Sequence, residues 1–284
     1  MSTLLETPRP AQEIRGPSAY GGGWRRFANL TWLIAITDYR LTYFGSALGY
    51  LWSLMRPLML FGVLYLVFAR FLKFGTDIPH YRDLLLLNIV LFMFFSEATG
   101  QAVRAVLNRE TLVRKMHFPR MVIPLSVVVT SMLNLAGNLV AVFAFVLIDG
   151  VEPRWTWLLL PLLLVPLIMF TAGVSMILSS LYVTYRDVGP IWTVLSQLLF
   201  YATPVLYAVE KIDPPALQKV LLANPLAALL QQARRWLIDP SAPGAGHAIG
   251  GFPWWLLPLG LFVGTCAFGL WIFNREAPKI AERL

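Results

Sequence analysis

The residues with the most distinct chemistry are the cations of residues 108–124, which read NRETLVRKMHFPRMVIP. A single acid, Glu110, opposes a close set of positive charges: Arg109, Arg114, Lys115 and Arg120. Such charges attract anionic headgroups or a partner protein, and they catalyse no reaction by themselves. Apolar runs precede and follow the segment, so the charge predicts the cytoplasmic side of a membrane.

The chain carries none of the sequence motifs of common hydrolases and metalloenzymes. A phosphate-binding G-x-x-x-x-G-K-[ST], a G-x-S-x-G elbow and an H-E-x-x-H motif are all missing. The histidines, His80, His117 and His247, fall in different loops, and Cys266 is the one cysteine. We therefore predict no catalytic residue and no metal site, and we expect any P-loop ATP hydrolysis to occur on another polypeptide.

The composition indicates a helical membrane protein. Of 284 residues, 57% are apolar and 13% are charged, and the mean hydropathy is +0.65. So few charges would not cover the surface of a soluble globule. Repeated apolar runs of about twenty residues match the thickness of a bilayer and predict an all-α polytopic fold.

About six transmembrane helices account for the apolar runs. The predicted spans are residues 47–71, 84–106, 121–148, 155–182, 188–206 and 254–273. Cations concentrate in the segments that this topology places inside, which predicts cytoplasmic termini. Arg234 and Arg235 oppose that bias because they fall together on the predicted outer side. Residues 1–23 are polar and rich in proline and glycine, and we expect a disordered cytoplasmic tail.

Residues 24–44 form an amphipathic segment that carries too much charge to span a bilayer. Its apolar positions recur at intervals of three and four, with tryptophans where lipid headgroups would lie. We predict a helix in the membrane interface, with functional positions at Trp24, Arg25, Arg26, Phe27, Asp38 and Arg40. An ordinary N-terminal flank without a function is the alternative.

Residues 108–118 have a helical periodicity of their own. Leu112, Val113, Met116 and Phe118 recur near helical spacing until Pro119 stops the turn. A short helix lying flat on the membrane would offer a binding surface to a soluble partner. A basic loop that only sets the membrane topology is the alternative.

Three polar residues fall at the predicted depth of the membrane: Arg56, Glu97 and Gln101. Ionisable side chains are costly there, and they commonly pair with each other or serve a function. An ion pair between Arg56 and Glu97 is one interpretation, and helix packing alone is the other.

Several stretches together resemble the ABC-2 type permeases, and among these the exporters of O-antigen, teichoic acid or galactan. The resemblance rests on four stretches: Asp38 to Trp52, Phe118 to Pro124, Tyr185-Arg186-Asp187-Val188 and Asn224-Pro225. They are similar, in that order, to the family's motif before the first span, its coupling region, its inner loop and its gate motif. The resemblance extends over nearly the whole chain after residue 24, but Arg56 departs from the uncharged polar residue that is common in the family.

The resemblance implies a permease that works as a homodimer with two copies of a separate ABC ATP-binding subunit in the bacterial plasma membrane. Mg-ATP would bind to that subunit, so this chain would hold no cofactor, and nucleic acid would not be a partner. The implied contacts with the ATP-binding subunit are Arg109, Glu110, Leu112, Val113, Arg114, Lys115, Met116, His117, Phe118, Arg186 and Asp187. A pair of re-entrant gate helices is implied within residues 214–237.

The resemblance also implies a path for a lipid-linked polysaccharide along the first and fifth spans. The aromatic residues assigned to it are Tyr43, Tyr50, Trp52, Trp192, Phe200, Tyr201 and Tyr207. Aromatic faces stack on sugar rings, and their polar tips form hydrogen bonds without fixed charge. Helix packing and anchoring at the interface are the alternatives for each residue.

Three other functions are weighed against this one. An ABC-2 exporter of a drug, lipid or ion would have the same fold. A membrane-embedded glycosyltransferase or acyltransferase would need converging acids, or a histidine and an acid near one membrane face, and the sequence reveals neither. A secondary transporter would show internal repeats, which the two halves of the chain lack.

Overall fold

A computed structural model describes residues 23–43, 49–73, 75, 78–115 and 118–279. Every regular element in these residues is helical, which confirms the predicted all-α fold. Apart from Gly23, the predicted N-terminal tail lies outside the described residues.

The helices follow the predicted order along the chain. The first part contains α1 (Trp24–Tyr43), α2 (Leu51–Tyr65, continued by a π-helical turn Leu66–Phe71), α3 (Tyr81–Asn108), α4 (Glu110–Lys115) and α5 (Val122–Ile148). The second part contains α6 (Leu160–Thr184, after a 3-10 turn Trp155–Leu159), α7 (Val188–Ala202), α8 (Pro215–Leu222), α9 (Pro225–Leu237), α10 (Ala245–Ala248) and α11 (Leu256–Glu276).

Five helical segments in the described residues are long and apolar enough to cross a bilayer. They are Leu51–Phe71, Tyr81–Asn108, Val122–Ile148, Trp155–Thr184 and Leu256–Glu276. The predicted span over residues 188–206 is wrong in length, since α7 has 15 residues. That is roughly 22 Å of helix, against about 30 Å of hydrocarbon in a bilayer.

The helix α7 ends early because Thr203 precedes Pro204. A proline ring disfavours the helical conformation of the residue before it, and Thr203 accordingly has extended angles (φ −96°, ψ 143°). The chain then returns to α3, where Asn88 donates to the carbonyl of Pro204 at 3.0 Å and the Tyr81 hydroxyl donates to that of Leu206 at 2.7 Å. The segment after α7 is therefore fixed against the N-terminal part of α3.

The helix α3 lies at the centre of the bundle. Its leucines 84–87 are buried, and it packs against α2, α5, α6, α7 and α9. By contrast, α2, α7 and α11 carry large exposed apolar side chains, among them Trp52, Leu198 and Trp271. Apolar faces of this extent have the character of surfaces that meet lipid or another membrane subunit.

A close approach of two glycines joins α6 to α11. A Cβ atom on Gly269 would lie 2.5 Å from the carbonyl oxygen of Gly173, and one on Gly173 would lie 3.1 Å from the Cα of Cys266. The two backbones can touch only because neither glycine has a side chain, as is common for helices packed within a membrane.

The short helices α8 and α9 occupy the region predicted for the gate helices. Asn224 caps α9, because its Oδ1 accepts from the Leu226 N–H at 3.0 Å. The amide group of Asn224 also donates to the Thr203 hydroxyl at 3.2 Å, which ties the helix pair to the end of α7.

Arg234 on α9 is buried in a network of acids. Its guanidinium lies 2.9 Å from Glu210 and 3.3 Å from Asp239. Gln231 donates to the same Glu210 carboxylate at 3.1 Å. The charge of Arg234 is therefore neutralised within the fold, and it weighs less against the predicted topology than its sequence position suggested.

Candidate coupling surface and membrane-level cavities

The helix α1 is amphipathic and lies along α5. Its buried residues, Phe27, Thr31 and Ala35, are four positions apart and therefore form one side of the helix. The other side is exposed, and it includes the predicted interface residues Trp24, Arg25, Arg26 and Arg40. Two members of the predicted set are less exposed: Phe27 is buried in the core, and Asp38 is partly buried.

A polar stripe on α5 receives α1. Ser126, Thr130 and Asn134 recur every four residues and share one side of the helix. The Thr130 hydroxyl lies 3.1 Å from the carbonyl of Ala35, and the Tyr43 hydroxyl donates to Asn134 Oδ1 at 2.9 Å. Sequence analysis missed Ser126 and Thr130, although their spacing from Asn134 was an available signal.

Arg109 joins α1, α3 and α5 at the point where α3 ends. Its guanidinium forms an ion pair with Asp38 of α1 and donates to the Ser126 hydroxyl of α5 at 3.1 Å. The side chains of Arg109 and Asp38 are 16% and 33% exposed, so the pair is less screened than a fully exposed one. The helix α4 begins at the next residue, Glu110.

The helix α4 covers only part of the predicted coupling helix, residues 108–118. The long helix α3 continues to Asn108, and Arg109 interrupts the helical geometry (φ −115°, ψ 27°) before Glu110 begins α4. Val113 is buried, Leu112 is exposed, and Phe118 is partly buried after the helix has ended. Met116 and His117, and the side chains of Arg114 and Lys115, lie outside the described part of the chain.

A buried cluster extends from α4 to the C-terminal part of α6, just before the second loop implied by the family resemblance. Val113 of α4 shares this cluster with Phe27 of α1 and with Val183, which lies just before that loop. In the loop itself Arg186 and Asp187 are exposed, and the Arg186 guanidinium lies 5.4 Å from the ring centroid of Tyr182. The fold thus brings the two predicted contact segments to one end of the bundle.

Arg120, the last cation of the basic segment, is buried. It donates a hydrogen bond to the carbonyl of Ala277, which follows α11. It therefore ties the start of α5 to the C-terminal end of the last helix, and it is a structural residue.

Three tyrosines meet where α1 approaches α2. The ring centroids of Tyr39 and Tyr43 are 4.9 Å apart, and those of Tyr43 and Tyr50 are 5.7 Å apart. Burial raises the pKa of Tyr43 and of Tyr50, so both hydroxyls remain protonated and able to donate at neutral pH. The Tyr50 hydroxyl fills the space beside Gly137, where a Cβ atom would lie 1.2 Å away.

A first cavity of about 230 Å³ lies between α2, α3 and α5. Of the aromatic residues predicted to line a path, Tyr43 and Trp52 line this cavity. Asn134, Glu97 and Arg56 supply polar groups to its wall.

A second cavity of about 650 Å³ lies between α2, α3 and α7. Trp192, Phe200 and Tyr201 line it. The Trp192 indole donates to the Thr99 hydroxyl at 3.2 Å, so this ring is held in place by α3. Tyr50 and Tyr207 line neither cavity, and the Tyr207 hydroxyl donates to the carbonyl of Tyr201 at 3.1 Å.

Arg56 lines both cavities and therefore stands between them. The suggested ion pair with Glu97 is not formed, although both residues are described and share the first cavity. Glu97 instead accepts a hydrogen bond from Gln101, one turn along α3, at 3.0 Å.

A family model for the ABC-2 type transporter matches residues 29–237. The match begins within α1 and ends with α9, so it includes the ion pair, both cavities and the short helices. The chain belongs to the ABC-2 type transporter family, and it is a multi-pass membrane protein.

Curated relatives resemble the chain over most of their length. A protein of Klebsiella pneumoniae named O-antigen export system permease protein RfbA is 29% identical over 257 residues, which is 89% of this chain and 94% of the relative. A second Klebsiella pneumoniae protein of that name is 30% identical over 210 residues, or 73% of this chain and 80% of its own. A protein of the same name from Myxococcus xanthus is 30% identical over 209 residues, with the same two shares.

Proposed function

We propose that this chain is the permease subunit of an ATP-driven exporter that moves a lipid-linked polysaccharide of the O-antigen, teichoic acid or galactan type across the bacterial plasma membrane. Two copies form the permease, and each works with one copy of a separate subunit that binds and hydrolyses Mg-ATP. Both termini and α4 lie on the cytoplasmic side, and the chain itself is not an enzyme.

The names of the relatives support the choice of cargo. Each of the three is called an O-antigen export system permease, and the chain spans at least 80% of each of them. The sequence contains no phosphate-binding loop, which agrees with ATP hydrolysis on a partner.

The observation that carries the proposal is the junction at Arg109. A soluble subunit that presses on α4 moves the residue that holds α1 through Asp38 and α5 through Ser126. Since α1 and α5 also carry Tyr43 and Asn134, the same displacement reaches the wall of the first cavity. A force applied to α4 at the membrane surface would thereby change the shape of the first cavity.

The cavities have the chemistry that a glycan requires. Rings stack on the apolar faces of sugars, while Asn134, Ser196 and Gln197 offer hydrogen bonds. The second cavity lies beside the exposed apolar faces of α2 and α7. In the proposed homodimer these faces of the two copies enclose a path.

Inverted membrane vesicles that contain this chain and the ATP-binding subunit encoded beside it test the proposal. We expect ATP-dependent transfer of the lipid-linked glycan of the source cell into the vesicle lumen. A partner subunit that binds ATP without hydrolysing it is the control, and it should stop the transfer. Stimulation of ATP hydrolysis by a drug or a lipid, with no movement of glycan, would instead assign the chain to another branch of the family.

A further inference from the structure

The N-terminus of α3 meets the turn after α5 at the end of the bundle opposite α4. His80 precedes α3, Asp83 lies in its first turn, and Asp149 directly follows α5. The His80 Nδ1 atom lies 3.9 Å from Asp83 Oδ2 and 3.8 Å from Asp149 Oδ2. Nitrogen and oxygen ligands of a tetrahedral ion are roughly 3.3 Å apart when each is about 2.0 Å from the metal, so a small contraction would let these atoms share one ion.

Asp83 has the environment of a ligand that faces a cation. The residue is 0% exposed, and neither of its carboxylate oxygens has a hydrogen-bond partner. A buried carboxylate without a donor is costly unless a positive group balances it. The neighbouring Arg82 donates to neither oxygen of Asp83, because its guanidinium pairs with Asp149 at 2.6 Å.

We infer that His80, Asp83 and Asp149 bind one divalent transition-metal cation, with Zn²⁺ as the best match. One imidazole nitrogen and two carboxylate oxygens are ligands that Zn²⁺ accepts, and three protein ligands leave a position for water. A neighbouring cavity of about 420 Å³, lined in part by His80 and Asp149, gives water access. Sequence analysis predicted no metal site because the three residues match no local ligand motif.

Arg82 orients one of the ligands. It holds Asp149 Oδ1, while Asp149 Oδ2 faces His80. Partners that fix the direction of a ligating carboxylate in this way are typical of metal sites. A bound ion would join the start of α3 to the turn between α5 and α6, and this role is independent of the proposed export function.

The test is Zn²⁺ binding to the full-length protein in detergent, purified without a histidine tag. After equilibration with Zn²⁺ and dialysis, elemental analysis should find one Zn²⁺ per chain, and Zn²⁺ should raise the unfolding temperature of the wild type. Asp83→Asn keeps the size of the side chain and should weaken binding at least about tenfold, since loss of even an outer partner of a ligand costs that much. His80→Ala and Asp149→Asn should have the same effect.

His247→Ala is the matched control, because His247 is an exposed histidine outside the cluster and its loss should leave the binding unchanged. Size-exclusion profiles establish that each variant is folded, and the His80 and Asp149 variants decide the matter if Asp83→Asn does not fold. Equal Zn²⁺ binding by the wild type and the folded cluster variants would overturn the inference. It would also be overturned if the wild type bound no Zn²⁺. A higher unfolding temperature of Asp83→Asn would then indicate that the two carboxyl groups share a proton instead.

Discussion

The Arg109 guanidinium pairs with the Asp38 carboxylate across the gap between the end of α3 and the surface helix α1. The same guanidinium donates to the Ser126 hydroxyl of α5 at 3.1 Å. One side chain therefore fixes three helices at the residue that precedes α4.

Loss of this ion pair is expected to uncouple the transporter. Asp38→Asn or Arg109→Gln should lower ATP-dependent glycan export while the protein still inserts into the membrane, because α4 no longer holds α1. Each variant should also lose about 1–3 kcal/mol of stability, since it leaves a partly buried charged group without its partner. Export in vesicles and thermal unfolding in detergent measure the two effects.

The exchange of the two charges is the control for this prediction. Asp38→Arg combined with Arg109→Asp restores the attraction, so it should recover part of the lost export and show coupling in a double-mutant cycle. Purely additive effects of the two substitutions would contradict a direct role for the pair.

The glycine contact between α6 and α11 predicts that Gly269 and Gly264, both in α11, differ in how well they tolerate a side chain. Gly269→Ala places a Cβ atom 2.5 Å from the carbonyl of Gly173 and should destabilise the protein by about 1–3 kcal/mol through overpacking. Gly264→Ala, in the same helix, meets no atom within 4 Å and should be neutral or slightly stabilising. Thermal unfolding of both variants in one detergent measures the difference, and equal behaviour would contradict the packing described.

The aromatic residues separate into cavity residues and packing residues, and this division predicts different phenotypes. Tyr201 lines the second cavity and is 57% exposed, so Tyr201→Ala should slow glycan export several-fold without a comparable loss of stability. Tyr207→Phe removes only a hydrogen bond outside the cavities and should leave export near the wild-type rate. The measurement is the initial rate of glycan export, with the unfolding temperature as the control. Slower export by the Tyr207 variant than by the Tyr201 variant would contradict the division.

The helical character and the order of the elements could be predicted because apolar periodicity reports which face of a helix is buried. Periodicity does not report what covers that face. Phe27 was predicted as an apolar position of an interface helix, and it lies in a buried cluster with Val113 and other residues that are far away in sequence. The early end of α7 could have been predicted from the local sequence, because Thr203 precedes a proline.

The contacts that define the candidate site depend on tertiary structure in the same way. Asp38 and Arg109 are separated by 71 positions, and neither residue shows its partner in sequence. Arg56 and Glu97 were suggested as a pair because opposite charges at membrane depth attract. Glu97 instead accepts a hydrogen bond from Gln101, one turn along the same helix, and this contact does not involve α2.

The proposed mechanism requires that the basic segment bind an ATP-binding subunit. Its most direct test is copurification of that subunit with the tagged permease, measured together with glycan export. Arg114→Glu combined with Lys115→Glu should lower both by at least about tenfold, because close like charges at an interface cost more than 1.4 kcal/mol. Arg154→Glu combined with Arg235→Glu makes the same change of charge at exposed positions outside the segment and should leave both intact. If the subunit still copurifies with the Arg114 and Lys115 variant and export continues, the coupling account is contradicted.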